Sequence, residues 1–309
     1  MKKTISIVTP TFNEVQNIEK LCFEISKIMS ESDFDYEHIV IDNNSSDGTI
    51  EKLRNISKKN KNLKVIINTK NFGHIRSPFH GIMQSNGDAT ILINSDFQEP
   101  LDLIPKYIEK WKSGSSIVLG KRSGSDINFF SNLFKKFSYK MMNNFSEIKL
   151  SNHTSGTGIF DKKIIESLKK IDDPYPFFRG LIFEITSNID YVEFHQNKRL
   201  KGKSKTNFYT LYDYAALALV KHSKLPLRYL TFVGFIFSIL SLLTSIFFLF
   251  YKLIFWNSFE LGIAPIIIGL FFLISIQLFF LGFIGEYLMQ ILSHQRKLPL
   301  VIEKERINF

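Results

Sequence analysis

In the N-terminal part of the chain, short aliphatic and β-branched runs alternate with stretches in which apolar residues recur every three or four positions. The runs fall at 4–8, 38–42, 63–67, 89–94 and 116–119 and read as strands. Between the first two, Val15, Ile18, Leu21, Ile25 and Ile28 keep the spacing of one helix face, with Asn13 placed to cap it. Further helices are predicted over 49–59, from the turn Asn71-Phe72-Gly73 to 85, and from Pro100 or Leu101 to Trp111. Strands alternating with helices predict an α/β domain with a doubly wound, mainly parallel sheet.

From 122 to 208 the pattern weakens. Residues 129–145 are aromatic and basic with helical spacing, 157–160 and 191–194 have strand character, and 162–168 and 177–189 read as helices. This stretch is expected to complete one domain over 1–207. The character then changes. Residues 229–251 and 261–285 carry no charge, and each run is longer than the roughly 20 residues a helix needs to cross a bilayer. About 15 residues of the first are Leu, Ile, Phe or Val, which favour insertion by about 5 to 9 kcal/mol as an upper bound. The link 252–260 is short, so the two helices within 229–290 are expected to form an antiparallel transmembrane hairpin, followed by a tail over 291–309.

Charge orients that hairpin. Lys198, Arg199, Lys201, Lys203, Lys205, Lys221, Lys224 and Arg228 precede the first run, Arg296 and Lys297 follow the second, and Lys252 is the only basic residue between them. The excess of Lys and Arg on the flanks places both termini and the N-terminal domain on the cytoplasmic side of the plasma (inner) membrane, as a multi-pass protein. Residues 208–228, with Tyr209, Tyr212 and Tyr214, read as an interfacial segment on the inner leaflet, or as an amphipathic helix packed on the soluble domain. The whole chain has 39 Lys+Arg against 29 Asp+Glu, a net charge of +10, and 31 Phe. Such a chain points to nucleic acid or to an anionic membrane, and the two apolar runs decide for the membrane; no nucleic-acid partner is expected. The single Cys22 excludes an internal disulfide and a multi-cysteine zinc site, and its helical setting makes it a packing residue. The apolar stretch before Thr9-Pro10 is too short for a signal peptide, so the N-terminal domain is expected to stay in the cytoplasm.

Candidate chemistry gathers at the ends of the predicted strands. The run Ile91-Leu-Ile-Asn-Ser-Asp-Phe-Gln-Glu-Pro100 delivers the oxygen ligands Asp96, Gln98 and Glu99 to a rim. The first strand brings Thr9, Thr11, Asn13 and Glu14, the second Asp42, Asn43 and Asp47, and the third Asn71 and Gly73. In open α/β sheets, ligands bind outside the carboxyl ends of the strands. Carboxylates there accept from base N–H groups and ribose hydroxyls and, with a hard cation such as Mg²⁺ or Mn²⁺, hold a diphosphate. Asp47, just before Gly48, equally fits a turn or cap residue. Neither a GxGxxG fingerprint nor a P-loop is present.

Thr9-Pro-Thr-Phe-Asn-Glu14, Ile41-Asp-Asn-Asn-Ser-Ser-Asp-Gly-Thr49, Asn71-Phe-Gly73 and Asn94-Ser-Asp-Phe-Gln-Glu-Pro100 resemble, in this order, the motif series of family 2 glycosyltransferases with the GT-A fold. Arg199-Leu-Lys-Gly-Lys-Ser-Lys205, Pro226-Leu-Arg228 and Gly285-Glu-Tyr287 resemble the polyprenyl-phosphate members of that family. The resemblance implies a nucleotide-sugar donor, a polyprenyl (undecaprenyl) phosphate acceptor, Mg²⁺ or Mn²⁺ as cofactor, and a membrane-lodged enzyme that can assemble as a homo-oligomer. It implies donor binding by Pro10, Phe12, Glu14, Asp42, Asn43, Asn71, Asn94 and Arg122. The metal and diphosphate map onto Asp96 and Gln98, and the chemistry onto Asp96, Arg199 and Lys205. His74 and Arg76 are further candidates for diphosphate contact.

Two positions depart from the family pattern. Asn94 stands where the first aspartate of DxD is found, and Asn43 where a second acid follows Asp42. An amide oxygen still coordinates a metal, but the site loses a charge and weaker metal binding is expected. A lipid monophosphate, with a second pKa of about 6, is already an anion near neutrality and needs no strong general base. Its in-line attack inverts the anomeric carbon. Two alternatives stand beside this reading: transfer to a saccharide or protein acceptor, and a non-catalytic membrane scaffold that keeps the fold. The Gln-x-x-Arg-Trp motif of processive relatives is absent, and Trp occurs only at 111 and 256.

Overall fold

The structure is a computed structural model and describes residues 2–124, 154–197, 225–255, 263–296 and 298–309. Eight strands form one sheet: β1 (Thr4–Thr11), β2 (Asp35–Asp42), β3 (Leu63–Asn68), β4 (Ala89–Leu92), β5 (Ile117–Gly124), β6 (Thr154–Asp161), β7 (Ile189–His195) and β8 (Glu303–Ile307), in the order β7-β5-β6-β4-β1-β2-β3-β8. Strands β4, β1, β2 and β3 are parallel neighbours, and β5 is parallel to β7. Strand β6 runs against both β4 and β5, and β8 runs against β3. The sheet is therefore mixed, with the expected parallel core.

That core follows from side-chain alternation. Ile5, Ile7, Val40, Val65 and Ile91 point to one face, where they meet α1 (Ile18–Ser30), α2 (Thr49–Lys59) and α4 (Leu103–Lys112). Val8, Ile39, Ile41, Ile66 and Leu92 point to the other, where they meet α3 (Gly73–Met83), α5 (Lys162–Lys169) and α6 (Phe178–Ile185). Parallel strands covered on both faces read as continuous apolar runs, which is why these four were visible in the sequence. Cys22 is buried in the first layer, and burial pushes its thiol up to about 12, as a packing role requires.

Asn13 does not cap α1. It has a left-handed backbone (φ 56°), its side chain accepts from Ser46 N at 2.9 Å, and the helix begins four residues after Glu14, whose carbonyl accepts from Asn17 N and Ile18 N. The predicted tail is also more than a tail. Strand β8 pairs with the edge strand β3, Arg54 bonds Glu305, and the side chain of Asn308 donates to the carbonyls of Ser57 and Leu63.

Two long helices, α7 (Leu225–Ile254) and α8 (Ile263–Gln295), separate the sheet domain from β8. At 1.5 Å per residue they are about 45 and 50 Å long. Phe232, Phe235, Phe247 and Phe250 on α7 and Phe272, Leu278, Phe279 and Leu288 on α8 are exposed. Among the described residues, Phe272–Met289 is long and apolar enough to cross a membrane, and none of that window is buried inside the protein. A Cβ added to Gly234 would lie 3.9 Å from the ring of Phe280, so the two helices touch. The predicted interfacial segment lies outside the described residues up to 224; its last residues open α7.

Candidate functional site

The parallel core has the order β3-β2-β1-β4. Chain connection reverses direction between β1 and β4, and the crevice at such a switch point is where open α/β sheets bind ligands. The two loops that frame its β1–β2 side are laced together. Ser45 Oγ accepts from Asn13 N at 2.7 Å, Thr49 Oγ1 accepts from Glu14 N at 3.0 Å, and Asp47 accepts from Val15 N at 3.0 Å. Asp47 also accepts from the amide and hydroxyl of Thr49. Burial pushes its carboxyl up, but the bonds from Thr49 and Val15 outweigh this and hold it below the usual range. Asp47 is thus the turn residue that its place before Gly48 allowed.

Asp42 ends β2 fully buried, and its oxygens accept from the amide and hydroxyl of Ser45 at 2.7 and 2.6 Å. Burial raises its pKa in spite of those bonds. Asn43 is bonded in the same way. Its Oδ1 accepts from Asn68 Nδ2 at 2.9 Å and Phe72 N at 3.3 Å, and its Nδ2 donates to Gly73 O at 3.3 Å. One amide joins the ends of β2 and β3 to the start of α3, and an aspartate could not make the donated bond. Asn71 is exposed and closes an Asx turn onto Gly73 N at 2.8 Å, starting α3. Pro10 and Phe12 are half-buried on the loop after β1, and Ser95 Oγ donates to Pro10 O at 3.2 Å. Glu14 accepts from Asn17 Nδ2 at 2.7 Å.

Across the switch point, the loop after β4 carries Asn94, Asp96, Gln98 and Glu99. Phe97 holds a left-handed backbone (φ 57°), unusual for an aromatic residue, while its ring packs on the core. This anchors the loop between Asp96 and Gln98. Asp96 Oδ1 accepts from Gln98 N at 3.2 Å; Gln98 Oε1 accepts from Gln196 Nε2 at 3.1 Å, and Gln98 O from Asn197 N at 3.0 Å. Asn94 is exposed at the mouth of a cavity of about 420 Å³, whose wall also includes His74, Glu99, Arg122, Thr157 and Arg179. His74 is exposed, and partial desolvation and then the charge of Arg179 lower its pKa. Glu99 is only 4% exposed and burial raises its pKa. Thr157, Arg122 and Ser155 are close enough to pull the other way, but neither carboxylate oxygen has a direct hydrogen bond.

The geometry thus brings Asn94 and Arg122 to one cavity wall and sets Asp96 and Gln98 on the adjoining loop. Arg76 is a correction. Its guanidinium donates to the carbonyls of Leu300 and Pro299, each at 2.7 Å, and so holds the chain leading to β8 rather than facing the rim. Arg199 and Lys205 lie outside the described residues. Among the described residues no cluster of three or more His, Cys, Asp or Glu could hold a metal by itself. Arg179 escaped sequence reasoning, although a lone arginine in the apolar run Phe177-Phe-Arg-Gly-Leu-Ile-Phe183 was a usable signal.

A doubly wound sheet with acidic loops at its switch point defines an α/β domain whose rim can take a ligand. Residues 6–169 match the family model "Glycosyl transferase family 2", and the chain is 30% identical to an uncharacterized glycosyltransferase of Synechocystis over 96% of its own length and 94% of the relative's. The chain belongs to glycosyltransferase family 2. It is also 28% identical to the bactoprenol glucosyl transferase of Shigella phage SfX, over 98% of this chain and 99% of that one. Among solved structures it is similar in fold to glucosyl-3-phosphoglycerate synthase from Mycobacterium tuberculosis, a complex with Mn²⁺ and UDP, at TM-score 0.50 and 17% identity over 71% of this chain and 78% of that one.

Proposed function

We propose that this glycosyltransferase moves a sugar from a nucleotide-sugar donor to a polyprenyl phosphate at the cytoplasmic face of a membrane, with inversion. The observation that carries the reading is the return of the chain to the sheet. Helices α7 and α8 lie between β7 and β8, two strands of one sheet, so a polypeptide that enters a bilayer along α7 must come back along α8. A Cβ on Gly234, 20 residues before the end of α7, would lie 3.9 Å from the ring of Phe280, 17 residues after the start of α8, an approach that suits an antiparallel hairpin. Exposed aromatic and aliphatic side chains on both helices suit lipid. A lipid-linked acceptor would then meet the domain that carries the rim. The full-length similarity to bactoprenol glucosyl transferases, helices included, supports the same acceptor.

In this reading Asp42 and the laced loops hold the nucleoside, and Asp96 and Gln98 hold the diphosphate. A site with one carboxylate and amide oxygens fits Mg²⁺ or Mn²⁺ when phosphate oxygens complete the shell, because these ions are commonly bound by one or two carboxylates plus substrate phosphates. The ion would neutralise the departing diphosphate. Asp96 is fixed for this by the Gln98 amide, and Gln98 by Gln196. An acceptor phosphate oxygen attacks the anomeric carbon as the bond to the diphosphate breaks, so no proton need be removed from the nucleophile. Arg199 and Lys205 are proposed to face the acceptor phosphate. The test is to incubate membranes holding the full chain with undecaprenyl phosphate and a panel of nucleotide sugars and to follow lipid products by mass spectrometry. A lipid-linked sugar from at least one donor is expected; sugar appearing only on saccharide or protein acceptors would contradict the proposal.

A further inference from the structure

Glu99 has no place in the roles assigned so far. Its carboxylate is buried and forms part of the cavity wall beside Asn94; Thr157 and Ser155 stand near enough to favour its charged form, but neither oxygen meets a donor in full hydrogen-bond geometry. Native folds seldom leave a buried acceptor unsatisfied, because its lost hydration is not replaced; where one is kept, a ligand is a physical reason for it. The cavity is shaped to admit that ligand. Gly156 makes room for Arg179, since a Cβ there would stand 3.2 Å from the Arg179 Nε. Phe177, Phe178 and Leu92 supply apolar wall.

The charges divide the work. Arg122 and Arg179 suit phosphate, which Glu99 repels. A carboxylate needs donors, and a sugar ring brings several hydroxyls. Asp42, Asn43 and Asp47 are already bonded inside the protein, and of the described buried oxygens left without a hydrogen bond, which include Thr11 Oγ1, Asn68 Oδ1 and Gln196 Oε1, only the two of Glu99 belong to a carboxylate that lines this cavity.

We propose that Glu99 reads the transferred sugar, its two oxygens accepting hydrogen bonds from ring hydroxyls of a neutral hexose seated in this cavity. The inference rests on the sugar-transfer reading above and adds the sugar class. A hexuronate, bearing its own carboxylate, is disfavoured by like charge.

The test uses the full chain in membranes, as wild type and Glu99→Gln, with nucleotide-linked hexoses and hexuronates. For Glu99→Gln, kcat/KM for the preferred hexose donor should fall about 10- to 100-fold. Use of a hexuronate relative to that hexose should rise about tenfold or more. Affinity for the free nucleoside diphosphate should be unchanged, and the melting temperature unchanged or higher, because the cost of burying this carboxylate outweighs the pull of Thr157, Arg122 and Ser155. Unchanged donor kinetics and preference would overturn the proposal. So would a lower melting temperature with a parallel loss of nucleoside diphosphate affinity, which is the mark of a structural residue. Wild type that transfers from no donor would overturn the sugar-transfer reading, and this inference with it.

Discussion

On the β1–β2 side of the rim, polar groups are largely spent inside the protein; on the β4–β6 side several are not. Asp42, Asn43, Asp47, Asn13 and Ser45 bond one another's loops. Both oxygens of Glu99 and Gln196 Oε1 are buried with acceptor capacity unused; on the other side the same holds of Asn68 Oδ1, and at the switch point of Thr11 Oγ1, but neither of those is a charged group. The first arrangement is a frame set before any ligand arrives, which lowers the ordering cost of binding. The second carries unsatisfied groups that a fold selected for stability alone would discard. Within one sheet, rigidity is concentrated where a constant nucleoside would sit, and unmet bonding capacity where the variable sugar would sit.

The largest expected effect comes from the loop after β4. Asp96→Ala should cut kcat/KM about 10³-fold, with no change in melting temperature, in a transfer assay run beside a thermal melt. A variant that melts early would move Asp96 to the framing side of the comparison. Next comes the frame itself. Asn43→Ala removes the bonds to Phe72 N, Gly73 O and Asn68 Nδ2, the last of which keeps Ser77 Oγ at 3.2 Å, and should cost about 1–3 kcal/mol of stability. Chemical denaturation measures this, and an unchanged midpoint would show that the frame does not depend on its amide.

The frame should also be sensitive to acid. His38, bonded to Thr9 at 3.0 Å, is buried, and burial drives its pKa from 6.5 down to about 3. Below 6.5 the unfolded chain binds a proton that the folded chain refuses. Stability is therefore full above 6.5 and is lost towards pH 3, by about 1.4 kcal/mol per pH unit. Melting as a function of pH should show this slope, and His38→Gln should flatten it. The smallest effect is expected at Asn94→Asp, which restores a second carboxylate at the exposed cavity mouth. The apparent Mn²⁺ affinity in a metal titration should tighten about tenfold. No change would show that Asn94 stands apart from the metal.

How much was legible in the sequence follows the same physical divisions. The four parallel strands were plain because burial on both faces makes them continuous apolar runs. Strand β6 was read only in part, since Thr154-Ser-Gly-Thr-Gly158 has few apolar residues and depends on close approach: a Cβ on Gly158 would lie 2.2 Å from Val118 O. Strand β8, Glu-Lys-Glu-Arg-Ile, is the charged sequence of a protected edge and looks like a tail until β3 is seen beside it. Asp42 and Asp96 stood out as candidates because each ends an apolar run. The spare capacity of Glu99 could not, because it depends on β5 and β6 enclosing it. Arg76 was misjudged because its partners, Pro299 and Leu300, lie more than 200 residues away.

The most direct test of this division is a structure of the full chain in lipid with a bound nucleotide sugar and Mn²⁺. The diphosphate should lie on Asp96 and Gln98, the nucleoside on the loop after Asp42, and the sugar in the cavity beside Glu99. A nucleoside in that cavity, or a sugar on the β1–β2 side, would contradict it.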